Sequence, residues 1–238
     1  MINLDKLSAA RLQSYPFVWA EVGGLYSQAD AEALAATYPH DHFKTISGYG
    51  GEKDYQYEGR QLIAMGTQRI VNAEALSPHW LRLAQSLCRQ EYRQAMSALT
   101  GLDLSQAPME VNVFHYGPGA NLGPHPDLSD KRVTHILYFN EQWNSADGGC
   151  LQILSSADPS SLVAEIVPVV GNSAILVRAD NSWHAVSRVV DSCNSSRRSV
   201  TVTFYHPNVS SSMWPADDCA PLHSYDSKTG RGAVGEEP

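Results

Sequence analysis

Apolar positions recur at helical spacing in two places along the chain. Ser27 can cap a helix and Asp30 can close the box. Ala31, Leu34, Ala35 and Tyr38 then lie three and four apart until Pro39 stops the run, so a helix is expected over about 28–38. Ser77 followed by Pro78 is a second start signal, because proline at the first helical position forfeits no hydrogen bond that the helix needs. From there Trp80, Ala84, Leu87, Cys88, Tyr92, Ala95 and Leu99 make one apolar stripe up to Gly101, and one long helix is the expected element. Between them, residues 41–60 mix Gly, Tyr and charge without a period, which reads as loop with room for one strand.

Past Gly101 the pattern changes from helical to alternating. MEVNVFHY, VTHILYFN, CLQIL, VAEIVPVV, SAILVR, WHAVSRVV and SVTVTFYHP are short, β-branched and aromatic, with turn residues such as Gly117-Pro118-Gly119 and Gly171-Asn172 between them. So many strand-like runs in about a hundred residues predict an antiparallel sandwich or barrel of jelly-roll type, backed by the N-terminal helices. Beyond Pro207 the periodicity is lost and a partly mobile tail is expected. The expected organisation is one domain, with a mostly helical support region over 1–107, a β core over 108–207 and a tail over 208–238.

Charge and cysteine usage narrow the class of partner. Seventeen Lys and Arg stand against 25 Asp and Glu, a formal net charge of −8, and a surface of that sign repels phosphate backbones and anionic lipid. Nucleic acid and membranes are therefore not the expected partners. Met1 to Tyr15 carries Asp5, Lys6 and Arg11 and lacks the apolar stretch of a secretory leader, and no run of about 18 apolar residues occurs. Cys88, Cys150, Cys193 and Cys219 are scattered without a CxxC pair, so neither a zinc knuckle nor a disulfide framework is indicated and a reducing, cytoplasmic setting is expected.

Candidate chemistry concentrates in GPHPDLSD. His125 and Asp127 are two apart, so on an extended strand both project from one face and can seat a metal ion. A third ligand can come from His184 in NSWHAVSRVV. Two histidines and one carboxylate on one side of an octahedron leave positions open, the arrangement that non-haem Fe(II) oxygenases need for O₂ and a cosubstrate. Taken alone, a His-x-Asp pair is more often a surface turn.

The surrounding blocks YGPGANLGPHPD, VTHILYFNEQWNSADGG, PVVGNSAILVRADNSWHAV and RRSVTVTFYHP resemble, in order and spacing, the 2-oxoglutarate- and Fe(II)-dependent oxygenases, especially their prolyl-hydroxylase-like branch. The resemblance covers roughly 108–207, with a weaker echo in PFVWAEVGGLYSQADAEAL. It implies a double-stranded β-helix and a hydroxylase that uses Fe(II), 2-oxoglutarate and O₂ and releases succinate and CO₂. It also implies that His125, Asp127 and His184 are the iron ligands. The distal carboxylate of 2-oxoglutarate then needs a cation inside the barrel. Arg198 shares a strand face with Val200, Val202 and Phe204, whereas Arg197 shares one with Ser199, Thr201 and Thr203. An apolar face is expected to look inward, which selects Arg198 and leaves Arg197 as the alternative. Tyr138 corresponds to a family tyrosine that touches the same carboxylate, and Tyr116 resembles one that contacts 2-oxoglutarate or substrate. Asp147-Gly148-Gly149 matches a family DGG that turn flexibility alone explains.

Of the other histidines, His40, His42, His79 and His223 are expected in solvent, while His115, His135 or His206 can line the substrate pocket. Asp127 stands where related halogenases leave room for chloride, so its presence argues for hydroxylation. The substrate class stays open among peptidyl residues, amino acids, saccharides and biosynthetic intermediates. Two other classes fit less well: a non-catalytic jelly roll that binds metal or 2-oxoglutarate, and a cupin-type metal enzyme, for which GPHPDLSD lacks the extra histidines.

Overall fold

The computed structural model describes residues 1–48 and 55–226 and the backbone of 231–232. Four α-helices, α1 (Leu4–Ser8), α2 (Gln28–Ala36), α3 (Pro78–Cys88) and α4 (Gln90–Thr100), accompany thirteen strands among these residues. The first three strands are β1 (Trp19–Val22), β2 (Lys44–Gly48) and β3 (Tyr55–Ile63). The core supplies β4 (Met109–Tyr116), β5 (Asn121–His125), β6 (Lys131–Tyr138), β7 (Leu151–Leu154), β8 (Leu162–Ile166), β9 (Ser173–Val177), β10 (His184–Val186) and β11 (Arg197–Tyr205). The tail adds the short pair β12 (Tyr225–Asp226) and β13 (Arg231–Gly232).

The sheet runs β1-β9-β6-β11-β4-β3-β5-β10-β7-β8, with β2 beside β3 and every pairing antiparallel. Its halves fold toward each other as a nearly closed barrel of jelly-roll type: β9-β6-β11-β4 on one wall, β5-β10-β7-β8 on the other, and β3 turning the corner. The outer face of the first wall carries Val111 and Val113 of β4, Val133 and Leu137 of β6, and Val200, Val202 and Phe204 of β11. These pack in one core with Trp80, Leu83 and Leu87 of α3 and Tyr92, Met96 and Leu99 of α4. A second cluster, including Ile136 and Tyr138 of β6, Leu151 and Ile153 of β7 and Leu176 of β9, fills part of the barrel interior.

Several local expectations change. The stripe from Trp80 to Leu99 belongs to two helices, because Arg89 is extended (φ −72°, ψ 150°) between them. The apolar spacing runs on across that one-residue link, so periodicity carries no sign of it. Ser77 does cap α3, its Oγ accepting from the Trp80 N–H at 3.3 Å. The 41–60 segment holds β2 and most of β3 rather than a loop with one strand; residues 49–54 lie outside the described residues. Gly148 is obligatory at its turn, since its φ is +72° and a Cβ there would sit 1.9 Å from the Arg188 carbonyl oxygen.

The described part of the tail packs back on the barrel instead of leaving it. His223 and Phe43 exchange backbone hydrogen bonds, the His223 ring pairs with Glu58 at 2.8 Å, and Tyr225 stacks on His115 at 3.9 Å between ring centroids. His223 is thus not in free solvent as expected. No helix among the described residues is long and apolar enough to cross a membrane.

His115 and His135 face the helical layer, not the barrel interior. His115 Nε2–H donates to the Pro39 carbonyl at 2.9 Å and its Nδ1 accepts from Ser196 Oγ at 2.7 Å, while His135 Nδ1 meets the Tyr92 hydroxyl at 2.8 Å. Burial pushes both imidazoles down to about 3. The unfolded chain takes up these protons first, near the ordinary value of about 6.5. This contribution to stability is therefore complete above that pH and is lost progressively as pH falls toward 3. Each histidine costs up to about 1.4 kcal/mol per pH unit inside the window. The urea midpoint is expected to drop clearly between pH 7 and pH 5; a flat midpoint over that range contradicts neutral burial of the pair.

Candidate metal and cosubstrate site

The strands place the three sequence-selected ligands together. His125 ends β5 and His184 begins β10, and the two are register partners whose ring centroids lie 4.4 Å apart. Asp127 follows two residues beyond the end of β5. One ligand atom from each of His125, Asp127 and His184 falls within 4.8 Å of the others. The Nδ1 of His125 lies 2.8 Å from the Gly123 carbonyl and that of His184 2.8 Å from the Ser182 carbonyl. A carbonyl only accepts, so Nδ1 carries the proton in both rings and the Nε2 lone pair is the metal-binding one.

Asp127 is buried and held at both oxygens. Lys131 Nζ, four residues along the chain, reaches Oδ1 at 2.7 Å, and Thr134 Oγ1 donates to Oδ2 at 2.8 Å. Burial works against the charged carboxylate, but the Lys131 ammonium, with smaller help from His184 and His125, holds it well below the ordinary carboxylate range. Two imidazole nitrogens and an ionised carboxylate make a donor set suited to a divalent first-row ion.

The same three residues line a cavity of about 130 Å³ with Tyr116, Ile136, Arg197, Ser199 and Thr201. Arg197 is only 2% exposed, its Nη1 donates to Ser199 Oγ at 2.6 Å, and its Nε–H has no partner. It forms no ion pair with a carboxylate among the described residues. Its guanidinium lies 5.0 Å from the Tyr116 ring centroid and 5.3 Å from that of Tyr138. The Tyr138 hydroxyl is buried without a hydrogen-bond partner, and burial pushes its phenol up to about 12 despite the Arg197 charge, so it is a neutral donor. A buried guanidinium whose Nε–H is unpartnered, beside a buried phenol whose hydroxyl is unpartnered, fits a ligand carboxylate.

Arg198 stands elsewhere. Its Nη1 donates to the Ala35 carbonyl of α2 at 3.3 Å and its guanidinium lies 5.6 Å from the Tyr38 ring, on the helical side of β11. The alternation reasoning was sound and its orientation was reversed. β11 is central in a wall whose outer face is buried under helices, so Val200, Val202 and Phe204 serve that core, while Ser199, Thr201 and Thr203 face the cavity. The residues that sequence reasoning missed are Lys131 and Thr134, whose spacing of four and seven from Asp127 was the available signal, and Tyr57, Asn112 and Met213, which no motif marked.

Comparison with known proteins agrees with this geometry. A family model described as the 2OG-Fe(II) oxygenase superfamily matches residues 111–206. The prolyl 3-hydroxylase OGFOD1 of Xenopus laevis is 29% identical over 145 residues, which cover 54% of this chain and 28% of that protein. The chain therefore spans well under half of that relative. A Pseudomonas putida prolyl-4-hydroxylase shares the fold with TM-score 0.54 and 21% identity over 85% of this chain and 96% of that one. A Trichoplax adhaerens prolyl hydroxylase, solved with a hypoxia-inducible-factor peptide, does so with TM-score 0.52 and 15% identity over 85% and 86%.

Proposed function

We propose that this chain, whose residues 111–206 match the 2OG-Fe(II) oxygenase superfamily, hydroxylates a C–H bond at the His125, Asp127 and His184 centre. The balanced reaction is substrate C–H plus O₂ plus 2-oxoglutarate to substrate C–OH, succinate and CO₂, with one oxygen atom in the alcohol and one in succinate. Fe(II) held by the three side chains would supply the O₂ activation that no amino-acid side chain provides.

The observation that carries this reading is the buried Arg197, without a carboxylate partner among the described residues, on the same cavity as the candidate ligand trio. Its planar fork suits bidentate contact with the distal carboxylate of 2-oxoglutarate, and Ser199 fixes its orientation. Tyr138 adds one hydroxyl donor, and Tyr116 flanks the guanidinium with its ring. Gly123 and Ser182 hold the imidazole tautomers, while Thr134 and Lys131 hold Asp127. Ile136 and Leu151 keep the cavity wall apolar.

The substrate class proposed is a peptidyl residue or a small metabolite, and the cytoplasm is the proposed compartment, in keeping with four unpaired cysteines. A screen of amino acids, peptides and metabolites for 2-oxoglutarate-dependent succinate release, with mass spectrometry for one added oxygen atom, tests the activity. Succinate that forms without 2-oxoglutarate, or a product formed at an unchanged rate under saturating N-oxalylglycine, contradicts it. Tyr138→Phe is expected to weaken 2-oxoglutarate binding by about 1 kcal/mol, roughly fivefold, the usual net worth of one hydrogen bond. Unchanged affinity in a titration returns Tyr138 to a packing role.

A further inference from the structure

We propose that the tail segment 207–223 is a strap that forms the substrate-side wall of the cavity, that Met213 sets the width of that side, and that Lys44 is its latch. The proposal rests on the oxygenase reading for the identity of the cavity. The segment and its latch both lie outside the matched residues 111–206.

The strap is tied at both ends by the backbone. It leaves β11 after Tyr205 and returns where His223 and Phe43 exchange N–H···O bonds of 2.8 and 2.9 Å. Between these points Met213 reaches the cavity lining, beside Asn112 and Phe114. Gly59 gives space to both Ile46 and Met213, since a Cβ there would sit 2.7 Å from Ile46 Cδ1 and 3.3 Å from Met213 Cε. Trp214 Nε1–H donates to Asn112 Oδ1 at 2.8 Å, and Asn112 itself lines the cavity. Few other contacts hold the middle of the strap, and Lys44 makes three of them. Its Nζ donates to the Met213 carbonyl at 2.6 Å, pairs with the Asp218 carboxylate and sits 4.2 Å from the Trp214 ring centroid. Lys44 is the register partner of Gly59, so latch and gap lie side by side on β2 and β3.

The size of the cavity gives the wall its consequence. About 130 Å³ is small beside the roughly 300–1,000 Å³ of sites that hold drug-sized ligands, and 2-oxoglutarate must share it. Tyr57, Leu122 and Val186 also line it, so a wide group entering beside Met213 meets bulky side chains on several sides. A methionine is the residue to set such a limit, because its unbranched chain fills an irregular gap. The substrate class follows as an amino acid or peptide segment that presents one small side chain.

The test uses the full chain loaded with Mn(II), in wild type, Met213→Ala and Lys44→Met, and two cosubstrate mimics. N-oxalylglycine carries no side chain, and N-oxalyl-D-phenylalanine carries a benzyl group on the carbon beside its distal carboxylate. By calorimetry, wild type is expected to bind the benzyl compound at least tenfold more weakly, and each variant to reduce that ratio at least fivefold. Hydrogen exchange in peptides covering 207–223 is expected to accelerate in Lys44→Met. A wild-type protein that binds both mimics alike, or a ratio unmoved in both variants, overturns the wall. If wild type binds neither mimic, the oxygenase reading fails, and exchange then decides the latch: acceleration supports it and no acceleration overturns it.

Discussion

Alanine in place of His125, Asp127 or His184 is expected to abolish 2-oxoglutarate-dependent succinate formation and to leave a folded protein. Losing a residue that merely supports a metal ligand typically costs about 10–100-fold, so losing a ligand is expected to cost at least about 100-fold. Asp127→Ala is the most severe for metal binding. It removes the one anionic ligand and leaves the Lys131 ammonium facing the two imidazoles, where its charge repels a divalent ion. The fold tolerates that change, because Lys131 is 22% exposed and its ammonium can turn to water. The two histidines make their known backbone bonds locally, within two residues, so their loss leaves the sheet pairing in place. Succinate release together with a circular-dichroism melt checks both halves. A variant that keeps wild-type succinate release removes that residue from the ligand set. Asp127→Glu is also expected to fail largely, since one added methylene moves the carboxylate beyond the positional tolerance of a ligand.

Arg197→Ala is expected to raise the 2-oxoglutarate requirement by tens to thousands-fold, whereas Arg198→Ala is expected to change it little. Removing one member of a desolvated charge pair costs about 2–5 kcal/mol, which sets that range. The second member is here the distal carboxylate, which would enter the cavity beside a guanidinium that is already dehydrated and held by Ser199. Arg198 bonds the Ala35 carbonyl and lies against Tyr38, so its removal acts on the packing of α2 and costs about 1 kcal/mol of stability. Titrations that give the opposite order move the anchor to the helical side of β11 and contradict the geometry.

The fold class and the grouping of His125, Asp127 and His184 were legible because each rests on a local rule. Alternation over MEVNVFHY or SVTVTFYHP needs only a sheet with two unlike faces, and His125 with Asp127 needs only adjacency. Which face of β11 looks inward is a different kind of question. The answer depends on where the helices pack, and both faces of that strand are buried, one under α3 and α4 and one around a polar cavity. Hydrophobicity therefore pointed the wrong way at Arg198. The break at Arg89 was hidden for a related reason, since the apolar stripe is set by the common core beneath both helices. Met213 and Lys44 could not have been found from spacing, because 169 residues separate them.

The most direct measurement is the visible spectrum of the protein mixed anaerobically with Fe(II) and 2-oxoglutarate. A weak charge-transfer band is expected only when both are present, because it requires the keto acid bound to the metal. Arg197→Ala should shift its appearance to higher 2-oxoglutarate, and Asp127→Ala should lose it. Absence of the band in the wild-type protein at saturating Fe(II) and 2-oxoglutarate, or a band that forms equally well in Asp127→Ala, contradicts a site that joins His125, Asp127 and His184 to Arg197.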